Sequence, residues 1–198
     1  MITSTRRTNS RDTLRLRRAF TLVEVMAAAS LSGVVLTGVL SSFVLLGQNC
    51  YNAANYSVME AESRRALEMF TREARMADNV TWNSANSVTL SVPGTGSSYL
   101  VTYAYDSATI GATARSFYRR LGDASSSSPR LVLVRQVSDF AFRRYKVING
   151  VDFTAANDLE TKQLQISLRT IRTGATTVNA TNAVLSARTI LRNKPVST

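Results

Sequence analysis

The 198-residue sequence contains no His and a single Cys, Cys50. Without His, the chain cannot build a Ser-His-Asp triad, a Cys-His dyad or a His-ligated zinc site. With one Cys, it can form neither an internal disulfide nor a Cys-based metal cluster. The sequence motifs of nucleophile elbows, zinc proteases and phosphate-binding or dinucleotide-binding loops are also absent. We therefore expect no catalytic residue, no bound metal and no cofactor, and a protein that is not an enzyme.

The positive charge is concentrated at the N-terminus. The chain has 24 Lys and Arg against 13 Asp and Glu, a formal net charge of +11. Residues 1–19 alone contain six Arg and one Asp, so this short segment carries +5 and the remaining 179 residues carry +6. A charge of that size on the larger part does not by itself indicate DNA or RNA binding, so nucleic acid is not predicted as a partner.

A long apolar segment, residues 20–47, follows the basic segment. Its 28 residues contain one charged side chain, Glu24. As a helix it would measure about 42 Å, enough to cross a bilayer core of about 30 Å. The next cation after Arg18 is Arg64. By the positive-inside rule, the N-terminus should stay in the cytoplasm and the chain after Gly47 should lie outside it.

Three interpretations of this segment compete. A cleaved secretory signal peptide fits poorly, because the apolar segment is too long and no small-x-small site follows it. A plain single-span anchor fits the length and the orientation, with Glu24 reaching the headgroups because it lies only four residues into the segment. In the third interpretation, Glu24 has a function of its own.

Residues 17–26, with the sequence RRAFTLVEVM, resemble the N-terminal cleavage and methylation motif of type IV prepilins and type II secretion pseudopilins. The resemblance covers about residues 17–47. It implies that a membrane-embedded prepilin peptidase cuts between Ala19 and Phe20 and methylates the new amine of Phe20. It also implies that Glu24 acts in assembly, and we hypothesise that its carboxylate pairs with that amine. The implied partners are the prepilin peptidase, other pilins or pseudopilins, the inner-membrane assembly platform and membrane lipid.

The sequence departs from the usual pattern of the family in three ways. Ala19 stands where Gly is usual, the apolar segment lacks the kinking Pro of many major pilins, and no C-terminal disulfide is possible. The last two differences favour a minor pilin or minor pseudopilin, of the J or W type.

The rest of the chain predicts an α+β fold. Apolar residues recur every three or four positions through residues 56–77, so one helix should run from Phe20 to Ala77 and pack its second half on a mostly antiparallel sheet. From Val80 the period changes to two. We predict strands over residues 87–92, 99–105, 115–121, 131–136, 140–147, 164–171 and 183–191. The predicted regions are a leader (1–19), a membrane and assembly segment (20–47), an amphipathic helix half (48–79) and a β-rich domain (80–198).

Three further clusters have competing explanations. Asp152, Asp158 and Glu160 could gather a Ca²⁺ ion, but a solvated acidic loop is the simpler interpretation. The segment 140–146, rich in Arg and aromatic residues, could bind single-stranded nucleic acid, but a strand with one buried and one wet face explains it as well. Arg119 and Arg120 are expected at the surface.

The leading functional hypothesis is a structural subunit of a pilus or secretion pseudopilus, assembled through its N-terminal helix after leader cleavage. It would reside in the inner membrane with one span and an extracytoplasmic C-terminal domain, before it enters a filament. The alternative is a membrane-anchored binding module that forms no filament. An anchored extracellular enzyme is a third possibility, which the missing catalytic motifs disfavour.

Overall fold

The computed structural model of the chain describes residues 20–172 and 181–195. The fold separates into two compact units, the first ending at Leu46 and the second beginning at Gly47. One helix, α1 (Leu22–Met76), is present in the described residues and contributes to both units. Its 55 residues agree with the predicted helix to within two residues at either end. The predicted helix is therefore confirmed.

Nine strands follow α1 within the described residues. They are β1 (Asn79–Ser84), β2 (Ser87–Pro93), β3 (Ser98–Asp106), β4 (Ser116–Leu121), β5 (Leu131–Val134), β6 (Val137–Ile148), β7 (Val151–Thr154), β8 (Gln163–Arg172) and β9 (Thr181–Ile190). The first five form one sheet in the order β1-β2-β3-β4-β5, and the other four form a second sheet in the order β7-β6-β8-β9. Every pairing is antiparallel. The α+β class predicted from the sequence is confirmed.

The division into two sheets was not predicted. The strand expected over residues 131–136 ends at Val134, because Gln136 has a φ of 55° and lies in the left-handed region, which interrupts a strand. The chain then enters the second sheet at Val137. All seven predicted strands are present, whereas β1 and β7 are additional.

The hydrophobic core lies in the second unit, between the two sheets and the later part of α1. Ala66, Phe70 and Ala74 of the helix are fully or almost fully buried. The ring centroid of Phe70 lies 5.2 Å from that of Tyr103 in the first sheet and 5.6 Å from that of Phe142 in the second. Burying one aromatic ring contributes on the order of 1.5–3 kcal/mol, so Phe70 ties the helix to both sheets.

Candidate functional site at the start of the helix

The predicted processing and assembly residues lie at the N-terminus of α1. The Val25 amide donates a hydrogen bond to the Thr21 carbonyl (3.2 Å), which makes Thr21 the N-cap. The Thr21 hydroxyl oxygen accepts a bond from the Glu24 amide (3.2 Å). In return, Glu24 Oε2 accepts bonds from the Thr21 amide (2.9 Å) and hydroxyl (3.1 Å). Thr21 and Glu24 therefore form a capping box, which satisfies donors that the first helical turn leaves without partners.

The capping box holds the Glu24 carboxylate next to the predicted cleavage site. Glu24 Oε2 bonds the backbone nitrogen of Thr21, one residue after the backbone nitrogen of Phe20. The Phe20 side chain is 82% exposed. Ala19, the other residue of the predicted cleavage site, lies outside the described residues, as does the rest of the leader. A carboxylate at a helix N-terminus also interacts favourably with the helix dipole.

The apolar part of α1 is exposed along the first unit. Its large apolar side chains, from Leu22 to Leu46, all lie at the surface. By length and composition, α1 is the one described helix that could cross a membrane. Four hydroxyls of this segment bond back to carbonyls four residues earlier, at 2.8–3.0 Å: those of Ser30, Thr37, Ser41 and Ser42. These polar groups are thus satisfied within the helix, as a lipid environment requires.

The three acidic residues weighed as a Ca²⁺ site each pair with a cation. Asp158 lies 2.7 Å from Arg144, and Glu160 lies 3.0 Å from Lys146. Asp152 pairs with Arg188. Within the described residues, no three His, Cys, Asp or Glu side chains gather in an arrangement that could hold a metal ion. The geometry supports a set of ion pairs joining the loop to neighbouring strands.

The basic and aromatic segment of β6 has two different faces. Phe140 and Phe142 are buried in the core, and Arg143 is exposed on the opposite face. Arg144 is partly buried, with its guanidinium carbon 5.1 Å from the ring centroid of Trp82. A buried face and a wet face therefore account for this pattern, as one of the two sequence interpretations had it.

Arg119 and Arg120 are not surface residues, contrary to the expectation from the sequence. Arg120 is 8% exposed and donates to the carbonyls of Asp123 and Ala124. Arg119 forms an ion pair with Glu73 of α1 at 2.8 Å, and the two side chains are only 17% and 6% exposed. The reason is that β4 carries these side chains against the helix and the following turn, where carboxylate and carbonyl oxygens receive them.

Glu73 and its partners form a buried polar network that the sequence did not reveal. Besides Arg119, Glu73 accepts a hydrogen bond from the Tyr103 hydroxyl at 2.7 Å. Burial, together with this hydrogen bond to a carboxylate, raises the pKa of Tyr103 well above its ordinary value. Burial lowers the pKa of Arg119, but the hydrogen bond and the charge of Glu73, together with Tyr103, outweigh burial, so the net shift is upward. The network therefore joins α1 to the first sheet through buried polar contacts.

Sequence reasoning also overlooked Thr21 as a partner of Glu24. The signal was available, because Thr-x-x-Glu before an apolar run is the capping-box pattern. For Glu73 there was no such signal. It lies one residue before the apolar stripe position Ala74, and a lone Glu in an amphipathic helix usually faces solvent.

Comparison with known protein families gives a match at the N-terminus of the chain. Residues 14–40 match the family model of the prokaryotic N-terminal methylation motif. The matched range contains Ala19, Phe20, Thr21 and Glu24, together with the first part of the apolar segment. The match covers 27 of the 198 residues and supports the resemblance to type IV pilins and pseudopilins over that segment. No curated protein matches the chain.

This motif has consequences for processing and location. It implies cleavage by a prepilin peptidase and assembly with other pilins. With the long apolar helix, it supports a membrane-anchored protein, and it points to a structural rather than an enzymatic role.

Proposed function

We propose that the chain is a minor subunit of a type IV pilus or a type II secretion pseudopilus. In this proposal, prepilin peptidase cuts between Ala19 and Phe20 and methylates the Phe20 amine. Residues 20–47 then leave the inner membrane for a filament, while the domain formed by residues 80–198 stays on the extracytoplasmic side. The lack of Pro in the apolar segment and of an internal disulfide supports a minor rather than a major subunit, and within that class we propose the J or W type, which has a similar basic leader.

The observation that carries the proposal is the position of the Glu24 carboxylate. It is held by Thr21 at the first turn of an exposed apolar helix, one residue from the backbone nitrogen that cleavage would convert to an amine. Moving an amine and a carboxylate out of water separately would cost several kcal/mol each, and a close pair offsets much of that cost. We propose that Glu24 pairs with the Phe20 amine, within its own chain or on a neighbour.

Pairing between neighbours would also set the packing of subunits. An amine and a carboxylate four residues apart on a helix are separated by about 6 Å along its axis. A Glu24–Phe20 pair between two subunits would therefore stagger them by about one helical turn. The pair would thus select the correct register during assembly.

The first experiment tests cleavage. The full chain is expressed with a prepilin peptidase or with an inactive form of it, extracted from membranes and sequenced from its N-terminus. We expect a chain that starts at Phe20 with the active peptidase and at Met1 with the inactive one. Ala19→Gly, which restores the usual residue of the family, should be cut at least as fast. An intact N-terminus with the active peptidase would contradict the proposal and favour the plain membrane anchor.

The second experiment separates the two roles of Glu24. Glu24→Gln removes the charge but keeps an oxygen that can complete a capping box, whereas Glu24→Val removes both. If pairing with the amine is the role, both variants should insert and be cleaved, yet fail to co-purify with the other leader-bearing subunits. If Glu24→Gln assembles like the parent and Glu24→Val does not, capping alone explains the residue. A subunit at the filament tip has no neighbour above it, so the assay must also measure recruitment of the subunit below.

A further inference from the structure

The strand β5 leaves one edge of the first sheet open. It pairs with β4 alone, and no backbone hydrogen bond from any described residue reaches its other side. The opposite edge of the same sheet is partly occupied, because the Trp82 amide donates to Asp158 at 3.1 Å. Free amides and carbonyls along an edge strand can pair with an extended segment of another chain.

One groove adjoins this open edge and a second lies just past the end of β5, and Arg135 lines both. The first has a volume of about 250 Å³ and lies between α1 and β5, with Arg65 on the helix side. The second has a volume of about 690 Å³ and lies beside the bend at Gln136 after β5, with Arg115 in its lining. All three Arg residues are exposed, and within the described residues none of their guanidinium groups has a hydrogen bond or an ion pair.

Several other cations of the second unit, unlike these three, have carboxylate partners. Arg119, Arg144 and Arg188 all pair with carboxylates of the chain. Around the two grooves, the described lining contains a single acidic residue, Glu62. The floor of the first groove is partly apolar, with Ala66, Met69 and Leu133. The surface therefore combines free backbone groups, an apolar floor and an excess of positive charge.

We propose that this surface, formed by β5 and by Arg65, Arg115 and Arg135, binds an extended acidic segment of another protein. The segment would add a strand to the edge of β5, and its carboxylates would pair with the three guanidinium groups. Main-chain hydrogen bonds would supply much of the affinity, and the charges would select an acidic partner. The proposal does not depend on cleavage at Phe20 or on the role of Glu24.

A simpler explanation predicts different behaviour. Short edge strands flanked by charged residues and Pro also protect proteins from unwanted sheet pairing, and β5 is four residues long between Pro129-Arg130 and Arg135. If the edge only protects against sheet pairing, it should bind no added strand, whatever the charge of that strand. If the edge is a binding site, it should bind an acidic strand and not a basic one.

The test uses the detergent-solubilised full chain and synthetic peptides labelled with fluorescein. The acidic probe has the sequence Glu-Val-Thr-Val-Glu. A second probe has Gln in place of Glu, a third has Lys, and a fourth keeps Glu but is N-methylated at alternate backbone nitrogens. We expect saturable anisotropy changes with the acidic probe alone. The first probe should also slow hydrogen exchange severalfold at those amides of residues 131–135 that point away from β4, since they would become hydrogen-bonded.

Variants of the protein localise the binding. Arg65→Glu combined with Arg135→Glu should weaken binding of the acidic probe about tenfold or more, because attraction becomes repulsion. Arg143→Glu is the matched control, since Arg143 is equally exposed but lies on the outer face of β6, away from both grooves. It should bind within about twofold of the parent. Circular dichroism establishes that all variants are folded.

Three outcomes would overturn the proposal. Absence of binding up to about 1 mM acidic probe would show that the edge is protective. Equal binding of the N-methylated probe would show attraction between charges without strand pairing. Tighter binding of a single-stranded oligonucleotide than of the peptide, lost in the same Arg variant, would assign the surface to nucleic acid instead of protein.

Discussion

Replacing the buried Glu73 of α1 by Met should strongly destabilise the second unit. The substitution leaves the Arg119 guanidinium, 17% exposed, and the Tyr103 hydroxyl without their shared acceptor. Breaking a buried ion pair by removing one partner costs about 3–5 kcal/mol. For a unit of this size, each kcal/mol lowers the melting temperature by about 2–4 °C, so we expect a drop of about 6–20 °C.

The measurement is thermal unfolding of the full chain in detergent, followed by near-ultraviolet circular dichroism. Glu60→Met is the matched control, because Glu60 forms an ion pair with Arg64 on the exposed side of the same helix. Exposed pairs of this kind contribute about 0.3–0.5 kcal/mol. The control should therefore change the melting temperature by no more than about 2 °C.

A double variant tests the physical reason for the loss. Combining Glu73→Met with Arg119→Met removes both the Glu73 carboxylate and the Arg119 guanidinium that would otherwise be left buried without a partner. Because an apolar pair of similar volume is often as stable as a buried ion pair, the double variant should be more stable than Glu73→Met alone. If Glu73→Met costs less than about 1 kcal/mol, or if the double variant is the less stable of the two, the reasoning about the buried network is wrong.

Three further predictions follow from the same unit. The pKa of Tyr103 is raised in the folded state, so its protonated hydroxyl contributes its full stabilisation below about pH 10 and loses it as the pH rises further. Tyr103→Phe should therefore flatten the decline of the melting temperature at alkaline pH. The pKa of Asp106 is lowered by its hydrogen bond from Thr113, so this stability is present above about pH 4 and is lost as the pH falls through the folded value; Asp106→Asn should flatten the acid decline. Gly122 has a φ of 95°, and a Cβ there would lie 2.6 Å from the Ser126 side chain. Gly122→Ala should therefore lower the free energy of unfolding in urea by more than about 1 kcal/mol. Gly111 also has a positive φ but is surrounded by open space, so Gly111→Ala should lower it less.

The sequence predicts the regular elements well where the periodicity is strong. The helix and the seven recognised strands follow from apolar spacing and from turn residues such as Asn149-Gly150, whose φ values of 51° and 81° fit a tight hairpin. Strand β7 is only four residues long and exposed throughout, so its alternation of apolar and polar residues is too short to identify a strand. Strand β1 is six residues long, and four of them are Asn, Ser or Thr. Such strands are stabilised by pairing with a neighbour, which a local pattern does not contain.

The sequence predicts the candidate site only in part. Phe20 and Glu24 are found because they belong to a short contiguous motif. Glu73 and Arg119 are 46 residues apart, so their pairing depends on how the helix packs on β4. The free cations around β5 are a similar case: Arg65 and Arg135 are far apart in sequence and share a groove only because α1 passes close to the edge of the first sheet. Long-range juxtaposition is the information that periodicity lacks.

The position of Phe70 between the two sheets also affects the order in which the chain can fold. Phe70 is made before every strand that covers it, and its neighbour Phe142 follows 72 residues later. Leu164, Ile166 and Leu191, which complete the same core, are made later still. Contacts so distant in sequence form slowly, because a long loop must close before they are gained. During synthesis, the apolar side of the helix is therefore covered only in part until β8 and β9 are made, and a chain that stops before residue 160 should aggregate rather than fold into a smaller domain.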